Sequence, residues 1–141
     1  MKSTKAGNFM GSICSMENLM NAWRMVKRKG GQPGGDEISI GAFERGLHGH
    51  LNRIARELQT DRYQPHTIRY YHMEKANGKT RLIGILSVQD RVAQRAFLNV
   101  LEPFYEKRFH PCSFGYRPGR GVDMALDAAV RLYDRGYPQC C

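Results

Sequence analysis

Apolar positions recur along this chain in two rhythms. Met16, Leu19, Met20, Trp23 and Val26 return every three to four residues, the period of a helix with one buried face. Lys27, Arg28 and Lys29 follow in the last turn, where positive charge complements the helix dipole. Residues 1–13 are small and polar without a period and read as a frayed leader. Gly30, Gly31, Pro33, Gly34 and Gly35 end the helix and read as a linker. A second stripe of Phe43, Leu47, Leu51, Ile54 and Leu58 predicts a helix over about 40–59, with Ser39 as its cap. His48 and His50 lie within it and carry no assigned role.

After Pro65 the rhythm shortens. Residues 68–74 (IRYYHME) and 80–86 (TRLIGIL) are β-rich and flank Asn77-Gly78, which predicts a hairpin over about 68–86. A two-residue turn would pair Glu74 with Arg81 and put Lys75 and Arg81 on opposite faces. A three-residue loop over 76–78, with Gly78 left-handed, pairs Met73 with Arg81 and puts both cations on one face, and this second register is the expected one. Ser87 then starts a helix with Asp90 at capping-box spacing. Val92, Ala93, Ala96, Phe97, Val100, Leu101 and Phe104 form its stripe, and Pro103 lies near its end. Residues 109–121 are loop-like. Val122, Ala125, Leu126, Ala129, Val130 and Tyr133 mark a last helix, ended by Gly136 and Pro138. The pattern is α+β: amphipathic helices on either side of one hairpin.

A length of 141 residues suits one domain or one piece of a larger one. The net charge of +9 points to a polyanionic partner such as nucleic acid, although an anionic membrane surface would fit that number as well. Residues 36–141 use thirteen arginines against three lysines, a preference that suits bidentate phosphate contacts. Cys14, Cys112, Cys140 and Cys141 show no ligand spacing, and no signal peptide or membrane span is visible, so a reduced, cytoplasmic protein with no membrane partner is expected.

Between residues 35 and 120 an ordered set of segments appears: G-x-x-x-x-x-x-x-F, TDRYQPHTIR, NGKTRLIGI, QDRVAQRA, LEPFYE and, most specific, SFGYRPGR at 113–120. Together they resemble the fingers region of bacterial reverse transcriptases, of the group II intron, retron and CRISPR-associated kind. The resemblance implies a helix-rich fingers part of a right-hand polymerase fold, with residues 1–35 a basic leader and 36–141 the fingers region, truncated before the palm. Three prolines usual in the family's I-P-K-P-N-G and R-P-L-G-I-P stretches are absent around Met73 and Leu82.

The same resemblance assigns roles by position. Lys75 and Arg81 would approach the incoming nucleotide's triphosphate, where cations stabilise the charge of phosphoryl transfer. Arg69, Arg91, Arg95, Ser113, Tyr116, Arg117 and Arg120 would contact nucleic acid. Arg91 and Arg95 share a helix face, with ion pairing to Asp90 as the plain alternative. Phe114 and Tyr116 offer either stacking or anchorage in a core. The partners implied are an RNA template, a DNA primer, a dNTP and intron RNA. Mg²⁺ is expected for the complete enzyme and none for this chain, because the family's palm aspartates have no counterpart here. Three functions follow: a template- and nucleotide-holding part of an RNA-directed DNA polymerase, a non-enzymatic RNA-binding module akin to a maturase, or an inactive remnant of a mobile element.

Overall fold

In a computed structural model, residues 9–74 and 76–137 are described, and they fall into two compact units that divide between Leu101 and Glu102. The first unit opens with α1 (Phe9–Ile13) and α2 (Met16–Lys29). Ser15 caps α2 by accepting the Asn18 amide at 3.2 Å, and Gly30 closes it. The short α1 corrects the reading of a frayed leader as far as residues 9–13 are concerned. Ile13 and Cys14 are buried, and anchoring two apolar side chains suffices to order a segment that has no period of its own. Burial also raises the Cys14 thiol pKa.

The helix expected over 40–59 is broken in two, α3 (Ile40–Arg45) and α4 (Leu47–Gln59). Gly46 separates them, and the His50 ring fills the space beside it while stacking on Phe43 with centroids 4.4 Å apart. His50 is thus a packing residue. The core joins Leu19, Ala22, Trp23 and Val26 of α2 to Phe43, Leu51 and Ile54, and to Val88, Val92, Ala93 and Ala96 of α5 (Val88–Glu106). These are the stripes that helical spacing singles out.

The hairpin forms from β1 (Arg69–Glu74) and β2 (Thr80–Ile85), antiparallel, with Met73 opposite Arg81 and Glu74 opposite Thr80. Gly78 has φ +74°, the left-handed value that the expected register requires. Lys75 lies outside the described residues. Most hairpin side chains are exposed, and a two-stranded ribbon is marginal alone, so its base must be held.

The segment read as a linker supplies part of that hold. Gly34 is buried: a Cβ there would lie 2.4 Å from the Ser87 amide nitrogen and 2.7 Å from the Leu86 carbonyl carbon. Gly35 donates its N–H to the Thr67 carbonyl at 3.1 Å. The glycines are there for close backbone passage as much as for chain reversal.

In the second unit, the loop after α5 leads to α6 (Val122–Asp134), none of whose residues is buried. Val122, Leu126, Val130 and Tyr133, the stripe that predicted the helix, are all more than half exposed. No helix among the described residues is long and apolar enough to cross a membrane.

Gly34→Ala is expected to cost about 1–3 kcal/mol, because a methyl group there meets backbone that cannot rotate away. Gly49→Ala, in α4 with open space around it, is expected to stabilise by about 0.5–1 kcal/mol. Thermal unfolding of both variants checks this; melting points that move in the same direction contradict it.

Candidate nucleic-acid interface

The first unit carries a cleft of about 830 Å³ where the end of α2, the hairpin base and α5 face one another. Arg28 and Lys29 of α2, Tyr71 of β1, and Arg95 and Leu98 of α5 line it, and no acidic side chain does. The last turn of α2 brings the cations there, but not all of them are available. Lys27 pairs with Glu44, whereas Arg28 and Lys29 are exposed and have no partner among the described residues.

Arg91 forms the floor. Its Nη1 donates to the Gly30 carbonyl at 3.2 Å, its Nη2 to the Gln32 carbonyl at 2.9 Å, and its Nε to the Ser87 carbonyl at 3.4 Å. The guanidinium straps residues 30–32 onto α5, and a Cβ on Gly31 would come within 2.9 Å of Nη1. Desolvation lowers the Arg91 pKa, against the pull of Asp36. Arg95 donates from Nε to Asn99 at 2.8 Å, Asn99 donates to Asn18, and Asn18 reaches the Ile13 and Ala96 carbonyls. Neither arginine pairs with Asp90. That carboxylate is buried and accepts instead from the Tyr63 hydroxyl (2.6 Å), the His66 amide (3.0 Å) and the Ser87 hydroxyl (2.7 Å). Burial and the bond to Asp90 push the Tyr63 hydroxyl pKa well above its ordinary value.

The hairpin register sorts the remaining candidates. Residues opposite each other share a face and alternate along each strand, so Arg69, Tyr71 and Met73 lie on one face with Arg81, Ile83 and Ile85. Arg69 and Arg81 therefore stand on the face that brings Tyr71 and Ile85 to the cleft. Sequence reasoning missed Tyr71, Arg28 and Lys29. The expected register, carried back two residues from Met73, would have placed Tyr71 beside the cations.

The second unit disposes of its four candidates differently. Arg117, expected at a nucleic-acid strand, is buried in its own loop: it donates from Nε and Nη2 to the Glu106 carboxylate, from Nη1 to the His110 and Ser113 carbonyls, and from Nη2 to the Glu106 carbonyl. All its donor directions are engaged, so its observed role is to close the loop. These hydrogen bonds hold the Glu106 carboxyl pKa below its ordinary value. Ser113 contributes its carbonyl, which Arg120 also approaches, while Arg120 Nη1 donates to the Pro111 carbonyl at 2.6 Å and its guanidinium lies 5.6 Å from the Phe114 ring centre. Tyr116 is fully exposed and has φ +56°, a left-handed conformation that costs a tyrosine about 1–2 kcal/mol. Of the two aromatics, Phe114 packs and Tyr116 projects.

Among the described residues, no three His, Cys, Asp or Glu side chains gather into a group that could hold a metal ion. Cys14 and Cys112 are free thiols, and Cys140 and Cys141 lie outside the described residues.

No protein-family model matches the chain. Protein YkfC of Escherichia coli is 38% identical over 105 residues, which is 74% of this chain and 28% of that protein. Group II intron-encoded protein LtrA of Lactococcus lactis is 33% identical over 84 residues, 59% of this chain and 14% of that protein. Nuclear intron maturase 2 of Arabidopsis thaliana is 56% identical over 49 residues, 35% of this chain and 6% of that protein. The chain therefore spans under a third of the length of these relatives. Its homologues include group II intron-encoded proteins and intron maturases.

The clasp between Arg117 and Glu106 makes a pH prediction. A carboxyl whose folded pKa is depressed contributes stability above its unfolded pKa and loses that contribution as pH falls through the folded value. Carboxyl-carbon NMR should show Glu106 titrating below the ordinary value for a glutamate, and Arg117→Ala should return its midpoint toward that value. An unshifted Glu106 in the intact chain contradicts the clasp.

Proposed function

We propose that this chain is the fingers portion of an RNA-directed DNA polymerase of the group II intron kind, with residues 36–141 holding template and incoming nucleotide in the cytoplasm. The observation that carries the reading is the register of the hairpin, which sets Arg69 and Arg81 on one face beside an acid-free cleft, in a chain whose relatives include a group II intron-encoded protein. Phosphoryl transfer asks little covalent chemistry of a protein and much placement of positive charge. Arg81, with Lys75 as its proposed companion, would meet the triphosphate; Arg69 and Arg95 would follow the strand; Tyr116 and Arg120 are further proposed nucleic-acid contacts. The described residues do not fit a two-Mg²⁺ centre. This chain's share of the reaction is therefore to bind and orient, with the metal chemistry proposed for the complete polymerase.

A second reading, an RNA-binding module that assists intron folding, is favoured by the relatives named as maturases and by the same basic cleft.

Anisotropy titrations of the full chain separate the two. The polymerase reading expects binding to an RNA-template/DNA-primer duplex that tightens several-fold with the matching dNTP, with the dNTP effect lost in Arg81→Ala. The maturase reading expects tight binding to a structured group II intron RNA, indifferent to dNTP and to Arg81→Ala. Either affinity should fall about 10- to 100-fold between 50 and 200 mM salt if roughly three phosphates are contacted. Absence of binding to both nucleic acids at low salt overturns both.

A further inference from the structure

In a ribbon of two strands each backbone is paired on one side only, and β2 takes the inner side of β1. The outer side of β1 is open. Among the described residues, no backbone hydrogen bond joins Arg69–Glu74 to anything but β2. Cover stops just before the strand, where Gly35 donates to the Thr67 carbonyl. Every residue of β1 is exposed, whereas β2 turns Ile83 and Ile85 partly inward. Alternate N–H and C=O groups of β1 therefore point at solvent, and such an edge is a template for another strand.

Open edges are ordinarily blunted by a proline, a bulge or a charge in mid-strand. β1 has none of these. It pairs with β2 continuously from Arg69 to Glu74, contains no proline, and keeps its two fixed charges at its ends. Between them stand Tyr70, Tyr71, His72 and Met73, and Tyr70, Tyr71 and Met73 are 59%, 40% and 45% exposed.

The strand is complementary to itself. Antiparallel pairing about a two-fold axis through Tyr71 sets Tyr71 against Tyr71, Tyr70 against His72 and Arg69 against Met73. It also brings the basic start of each strand beside the acidic end of the other. An axis through His72 would oppose Arg69 to Lys75, a like-charge pair that is unfavourable directly across a ladder. The exposed stripe of α6 does not match a second copy in the same way. Asp123, Asp127 and Asp134 all fall along one border of that stripe, so antiparallel self-packing would set acid against acid.

We propose that the outer edge of β1 is a self-association surface, on which two copies of this chain join their hairpins into one four-stranded antiparallel sheet with the two-fold axis at Tyr71. The pairing is closed, because each copy uses the same strand and the product is a dimer. One strand pair is small beside the about 1,200–2,000 Å² of a stable complex, so the dimer is weak and depends on concentration.

The test is sedimentation equilibrium of the full chain after nuclease treatment, over about 5 to 500 µM, so that mass action populates a weak pair. Salt of about 0.3 M screens the repulsion between two basic chains and removes association bridged by nucleic acid. The average mass is expected to rise with concentration and level off at twice the monomer. Tyr70→Lys combined with His72→Lys opposes like charges across the axis and should weaken association about ten-fold or more. Tyr70→Glu combined with His72→Glu should do the same. An equimolar mixture of the two variants should associate again, which a folding defect could not produce. Amide exchange within 69–73 of the parent should slow as it is concentrated, a readout that needs no variant. A parent that stays monomeric to the top of the range would overturn the proposal. So would growth past the dimer, either variant dimerising like the parent, a mixture that stays monomeric, or concentration-dependent protection that appears in 122–134 instead of β1.

Discussion

The buried carboxylate of Asp90 is the point on which the first unit depends. It accepts from the Tyr63 hydroxyl, from the His66 amide on the approach to β1, and from the Ser87 hydroxyl at the head of α5, while its own amide donates back to Ser87 at 3.0 Å. A carboxylate taken out of water is costly unless its lone pairs are filled, and here three donors fill them. Because the donors come from the connection after α4 and from the start of α5, satisfying one side chain fixes where β1 begins and where α5 begins. The passage of Gly34 against Ser87 completes the junction: the connection after α2 runs where only a residue without a Cβ can go. The distance from α2 to α5, and with it the width of the basic cleft, follows from that crossing and from the Arg91 strap.

Much of this is legible in the chain where the information is local. The stripes at Leu19 and Trp23, at Phe43, Leu51 and Ile54, and at Val92 and Ala96 name the core, because helical period and burial are two views of one geometry. Asn77-Gly78 names the hairpin, and the choice between two registers resolves on one left-handed glycine. The Ser87–Asp90 spacing announces a capping box and yields more, a carboxylate hub reaching Tyr63 and His66. That extension is illegible because its partners lie 24 and 27 residues away, and nothing periodic joins them.

Arginine is where sequence reasoning is weakest. A guanidinium binds a backbone carbonyl as readily as a phosphate, and only the fold decides which it meets. Arg91 and Arg117, both expected at nucleic acid, are used inside the protein, one as a strap and one as a clasp. Arg28 and Lys29, read as ornaments of a helix dipole, stand at the cleft. The helix of 122–134 shows the converse failure: its apolar spacing predicts the helix correctly, and yet Leu126 and Val130 remain exposed. Period specifies which side chains share a face. It does not specify what covers that face.

The SFGYRPGR segment can be understood on the same terms. Arg117 draws the Glu106 carboxylate and the carbonyls of Glu106, His110 and Ser113 around itself, so the residue before it has little freedom left, and Tyr116 is held left-handed with its ring in solvent. Left-handed tyrosine persists only where neighbouring hydrogen bonds over-determine the backbone. The arginine is thus the cause and the projecting tyrosine the effect, and a motif that looks like a set of ligand contacts separates into one internal organiser, one packed aromatic at Phe114 and one presented ring. Among these residues, Tyr116 offers the freest surface for a base, and Arg117 sets where that surface stands.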